Sequence, residues 1–180
     1  MRMRVSLLLL LLLSPALDAA EMVIKEAFGI SLGEPLDVTA LELQALDEKD
    51  RKGGEAYVFV PQHPYEPLNE YTVVVTPLTK TVYSIQAVGT FKNRTACKAE
   101  MGQLEQLLAR KYGRRNADPA AKFTGSSRIV FGSGPRKITV SCSGIFTHYK
   151  LKLIYQDKSI DLTEKKGVVQ ESGSRDSSGL

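Results

Sequence analysis

The chain has 180 residues, no tryptophan, two cysteines and two histidines. These scarcities exclude several kinds of site. Cys97 and Cys142 show no Cys-x-x-Cys spacing, which argues against a dithiol redox pair. His63 and His148 have no second histidine or carboxylate at ligand spacing, so the sequence calls for no metal and no other cofactor. No Gly-x-Ser-x-Gly elbow occurs. Gly132-Ser133-Gly134-Pro135-Arg136-Lys137 has the glycines to present backbone amides to an anion, but it leads into a strand. It lacks the helix whose dipole makes a phosphate loop, and reads as a hairpin turn. The carboxylates of Asp47-Glu48-Lys49-Asp50 adjoin along an exposed segment, where solvation rather than acid–base chemistry is their role.

Long apolar runs are missing too. The longest, from Val5 to Leu13, spans about nine residues, against the roughly twenty that cross a bilayer as a helix. Met1-Arg2-Met3-Arg4 precedes it and Ser14-Pro15-Ala16-Leu17-Asp18-Ala19-Ala20 follows, ending in small residues. That is the layout of a secretory signal, expected to occupy residues 1–20 with cleavage after Ala19 or Ala20. A periplasmic or secreted product without a membrane span is expected, and no cysteine stands at the cleavage site to carry a lipid. What remains suits one domain at residues 21–162, followed by a tail at residues 163–180. In that tail apolar residues thin out and disorder is expected.

Charge is uneven along the chain. From Glu21 to Thr90 there are 5 Lys or Arg against 11 Asp or Glu, a net of −6; from Phe91 to Leu180 there are 17 against 8, a net of +9. One reading is that the halves pack and neutralise each other. The other is a basic face made by Arg110, Lys111, Arg114, Arg115, Arg128, Arg136 and Lys137 that binds an acidic partner, a polyanion or anionic lipid.

The clearest element is a helix from Arg94 to Tyr112, because Cys97, Met101, Leu104, Leu108 and Tyr112 fall on one stripe. Asn93 or Thr95 caps its start, and Gly113 stands at its end. The cations around that end suit the helix dipole, which explains much of the local basic cluster without a ligand. Asn93-Arg94-Thr95 also matches a glycosylation acceptor, but capping is the simpler role. A second, shorter helix is predicted over Pro35 to Leu46, from Pro35 at a first-turn position and the spacing of Leu36, Ala40 and Leu43.

Strands are predicted at Tyr57–Val60, Tyr71–Thr76 and Val82–Val88, the last two as a hairpin, and again at Arg128–Phe131, Lys137–Cys142 and Tyr149–Tyr155. In the last of these Tyr149, Leu151, Leu153 and Tyr155 share one face and Lys150 and Lys152 the other, as in a sheet with one wet side. That parity makes the two tyrosines core, not stacking platforms for nucleic acid. The fold class is α+β, with helices on one face of a mainly antiparallel sheet. The order suggests a tandem repeat of helix plus three-strand meander, at residues 21–90 and 91–162.

This order, with Gly29-Ile30-x-Leu32-Gly33 leading to the first helix, resembles small secreted bacterial modules of the outer-membrane-assembly lipoprotein and β-lactamase-inhibitor-protein type. The resemblance covers most of the mature chain as an order of elements. It implies binding rather than catalysis, and transfers no functional residue.

Cys97 lies on the apolar stripe of the long helix, and Cys142 shares strand parity with Ile138 and Val140, so both sulfurs point into the layer between helix and sheet. A disulfide is expected there. The functional expectation is an exported, non-enzymatic module that binds a protein of the cell envelope or an enzyme it inhibits. The alternatives are the polyanion or lipid binder described above and an enzyme with a dispersed site that uses His63 or His148.

Overall fold

A computed structural model describes residues 23–39, 43–46, 53–116 and 127–162. The leader at 1–20 and the tail from 163 lie outside those residues. β-Branched and aromatic residues alternate in β4 (Glu55–Val58), β5 (Glu70–Val75), β6 (Val82–Phe91), β7 (Ser127–Phe131), β8 (Arg136–Ile145) and β9 (His148–Asp157). With the short edge strand β3 (Gln44–Ala45) these form one antiparallel sheet in the order β3-β4-β5-β6-β9-β8-β7. β4 to β6 make one meander and β7 to β9 another. The two are joined along β6 and β9, where Ile85 faces Tyr155 and Phe91 faces Tyr149.

Between the meanders lies α1 (Arg94–Tyr112), with the predicted bounds. The Asn93 side chain accepts from the Ala96 N–H at 2.8 Å, and Gly113, at φ 78°, donates its N–H to the Ala109 carbonyl. Cys97, Leu104, Leu108 and Tyr112 are buried against the inner face of the sheet, among Phe131, Ile138, Leu151 and Leu153. Each such side chain contributes about 1.5–3 kcal/mol by leaving water. The disulfide fastens the same layer. The Sγ atoms of Cys97 and Cys142 are 2.09 Å apart and the Cα atoms 6.1 Å.

The helix predicted over Pro35 to Leu46 is not formed. Residues 40–42 lie outside the described set, but on either side the backbone is extended or turning. Leu36 donates its N–H to the Lys80 carbonyl and Val82 donates to Glu34, so this stretch bridges onto the start of β6. The Asp37 carboxylate accepts from both the N–H and the hydroxyl of Thr39, closing a local turn. Gln44–Ala45 then pairs with Tyr57–Val58 as β3. A helix of that length is marginal in water by itself, and pairing to a preformed sheet satisfies the same backbone groups. Gly29-Ile30-x-Leu32-Gly33 belongs instead to a small hairpin of β1 (Glu26–Ala27) and β2 (Ile30–Ser31) that lays Ile24, Ala27, Ile30 and Leu32 on the core. Among the described residues the architecture is mostly antiparallel sheet with one helix. The tandem repeat is not established, because only the second meander is accompanied by its helix.

The outer face is only partly covered. Leu162 and Ile160 fold back over Ala56, Val74 and Tyr83 in a second, smaller apolar cluster.

Candidate functional site

In an antiparallel sheet alternate strands run the same way, so β4, β6 and β8 all end at one end of the sheet. From that end three connections emerge: the loop after Val58, the Lys92-Asn93 link into α1, and the turn after Ile145. Three of the large apolar side chains that remain in water lie on them: Val60 at 88% exposure, Ile145 at 72% and Phe146 at 88%.

The first connection forms one wall of a groove of about 390 Å³, with Phe59, Val60, Pro61, Gln62 and His63 on that side and Phe28, Gly29 and Ile30 on the other. The groove is apolar along most of its length and polar where Gln62 and His63 stand. Tyr71 holds the wall. Its hydroxyl donates to the Leu68 carbonyl at 2.9 Å, has the Tyr65 carbonyl at 3.2 Å, and accepts from the Tyr65 N–H at 2.9 Å. Burial raises the Tyr71 phenol above its ordinary pKa, so it stays a neutral donor. Tyr65 in turn hydrogen-bonds Glu100 of α1, and burial together with that bond pushes its phenol up to about 12. At the opposite wall Phe28 stacks edge-on to Tyr71, with ring centroids 5.0 Å apart.

The third connection is a two-residue turn, Phe146-Thr147, closing the pair Ile145–His148. Phe146 has φ 54°, a left-handed conformation that bulky side chains rarely adopt. Such a residue costs about 1–3 kcal/mol. The ring gains nothing from burial in return, since it projects into water.

At the opposite end a hollow of about 440 Å³ lies between Ile24, the turn Gly132–Pro135, Arg136 and Asp157. Arg136 donates from Nε to Asp157 Oδ2 at 2.7 Å and from Nη1 to the Ile24 carbonyl at 3.1 Å. Burial works against ionisation of Asp157, but hydrogen bonds from Ser159 and Arg136 outweigh it and hold the carboxyl below its ordinary value. The charge of Arg136 is thus spent on the fold.

The seven cations singled out in the sequence are divided by the structure. Arg110, Lys111, Arg114 and Arg115 cluster at the end of α1, where Arg115 pairs with Glu105 at 3.1 Å and Lys111 sits over the Tyr112 ring. Arg128 and Lys137 alternate with Ile129 and Ile138 and so lie on the outer face, whereas Arg136 lies on the inner side. His63 and His148 are both exposed, and the His148 Nδ1 meets the Thr147 hydroxyl at 3.2 Å. Among the described residues no three His, Cys, Asp or Glu side chains gather as metal ligands. Nor is any helix among them long and apolar enough to cross a membrane.

The groove and the Ile145–Phe146 turn escape sequence reading. The groove's walls are some thirty residues apart in the chain, and Phe146-Thr147 carries neither glycine nor asparagine to mark a tight turn. The one signal is the lapse of alternation between two clear strands. Comparison with protein families, with curated proteins and with solved structures finds no match for this chain.

Proposed function

We propose that the protein is an exported, non-enzymatic module that binds a protein of the cell envelope. The observation that supports this reading best is the groove between Phe28–Ile30 and Phe59–His63, apolar, open at its rim through Val60, and braced by Tyr71. Its volume suits one or two apolar side chains of a partner, with Gln62 and His63 placed to hydrogen-bond the partner's backbone. Export is supported by the leader layout of residues 1–20 and by the bonded Cys97–Cys142 pair, which persists in an oxidising compartment. An acidic segment on the partner would complement the cations around the end of α1.

The test is photo-crosslinking from position 60 in the exporting cell's envelope, at two salt concentrations. A discrete adduct that persists at high salt, and is lost when Phe59→Asp fills the groove with charge, supports the reading. Labelling no different from that at an unrelated exposed site, such as Leu107, argues against it. So does turnover of a substrate by purified protein that depends on His63 or His148.

A further inference from the structure

The β8–β9 hairpin reaches beyond its neighbours. β6 stops opposite Tyr149 and the described part of β7 begins opposite Cys142, so among the described residues no strand flanks the pair Ile145–His148. At about 3.3 Å per residue, Phe146 stands two residues past the rung of the last β6 contact, roughly 7 Å beyond it. The tip carries Ile145 and Phe146, both in water, with Phe146 held outward in the left-handed region.

Behind the tip the outer-face charge of β7 to β9 has one sign. On the outer face Lys150 pairs across to Ser143, and Lys152 and Arg128 both lie opposite Ser141. Lys137 completes the outer-face cations of β7 to β9. No carboxylate occupies an outer-face position from β6 to β9, because Asp157 alternates to the inner side. Lys92 and Arg94 are exposed where β6 turns into α1. Neither Lys150 nor Lys152 forms an ion pair among the described residues.

We infer that the β8–β9 hairpin docks on an anionic lipid bilayer, with Ile145 and Phe146 inserted at the headgroup boundary and Lys150, Lys152, Lys92 and Arg94 lying over the phosphates. The order of layers decides between occupants. A convex apolar tip with cations set back from it matches a bilayer surface, which has its anionic layer outside and its apolar layer beneath, and whose interfacial segments sink about 5–10 Å. A soluble polyanion would engage the lysines and leave the tip in water. Nucleic acid would want exposed aromatic rings on the cationic face, whereas Tyr83, the outer-face aromatic of β6, is buried in the cluster with Leu162. Long lysine stems reach down toward the tip while keeping their ammonium groups at phosphate level. This surface is separate from the groove and does not depend on the protein-binding reading.

The chain has no tryptophan, so Phe146→Trp introduces a single emitter at the tip. The purified Phe146→Trp protein is mixed with vesicles of 30% phosphatidylglycerol in phosphatidylcholine, and with pure phosphatidylcholine. Docking requires a blue shift of emission and quenching by brominated acyl chains with the anionic vesicles only, and no shift from Leu107→Trp on α1. Sedimentation with the anionic vesicles should fall at least tenfold in Phe146→Asp and in Lys150→Glu/Lys152→Glu, and should weaken with salt. Circular dichroism matching the parent shows that these exposed substitutions leave the fold intact. Anionic binding with Phe146→Trp emission unchanged assigns the lysines to a soluble polyanion and overturns the inference, as does equal binding by the parent and Phe146→Asp. Absence of binding to either vesicle overturns it as well.

Discussion

Arg136 and Asp157 close one end of the sheet with a 2.7 Å ion pair in which the carboxylate is 4% exposed and the guanidinium 30%. The Cβ that would replace a hydrogen at Gly33, at φ 81°, falls on the Arg136 guanidinium, so the β1–β2 hairpin, β8 and β9 meet at this pair. Because the folded chain holds the Asp157 carboxyl below its ordinary value of 3.8, the ionised form favours folding. That contribution is complete above the unfolded value and is lost as pH falls through the lower folded one. Denaturant midpoints measured from pH 6 to pH 2 should fall for the parent and fall less for Asp157→Asn. At pH 7 the variant should be destabilised by about 2 kcal/mol, below the 3–5 kcal/mol of a fully buried pair because Arg136 is partly solvated.

Removing the disulfide should cost more. The bridge closes 45 residues, which in the chain-entropy model stabilises by about 4 kcal/mol. Cys97→Ser/Cys142→Ser should lower the unfolding free energy by that order while keeping the circular dichroism of the sheet. Cys97 is fully buried and Cys142 only partly, so under mild reduction labelling at Cys97 should be slow until denaturant is added. Rapid labelling of Cys97 in folded protein would contradict this placement.

Tyr71→Phe isolates the brace of the groove. The ring stays packed against Phe28 and Phe59, but the Leu68 carbonyl and the Tyr65 N–H lose their partner. A loss of about 1–2 kcal/mol is expected. Hydrogen exchange should accelerate at Tyr65 and its neighbours while the β8–β9 amides stay protected. Uniform acceleration would mean that the loop is not an independent unit.

Phe146→Asn should raise stability. Asparagine tolerates the left-handed region far better than phenylalanine, and no buried contact of an 88% exposed ring is forfeited. A gain of about 1 kcal/mol, or roughly 3 °C in melting temperature, is expected by calorimetry. A loss of stability would show that the ring supports the fold.

How much of this was legible in sequence follows from how local each feature is. α1 contains its own stripe from Cys97 to Tyr112 and its own caps at Asn93 and Gly113, so its extent was legible, with only the choice of Asn93 over Thr95 as N-cap left to the structure. The alternation of β9 announced its two faces before its neighbours were known, and parity placed both sulfurs in the same layer. The pairing of β6 with β9 is another matter. It joins Ser84 to Gln156 across a whole meander and a helix, and no local pattern specifies it. Residues 35–46 mislead for the same reason: Leu36 and Ala45 carry helical spacing, yet partners at Lys80 and Tyr57, distant in the chain, claim the backbone. The groove is invisible for want of any motif, being made where two unrelated loops happen to face.

The position of Cys142 has a mechanical consequence. Tension on Phe146 would unzip β8 from β9 starting at the turn, and only Ser143 to Ile145 separate that turn from the covalent link to α1. Rupture of the ladder would arrest after those few rungs, with the load handed to the helix. A protein anchored or tugged through this turn would bend at the turn long before the sheet behind it came apart.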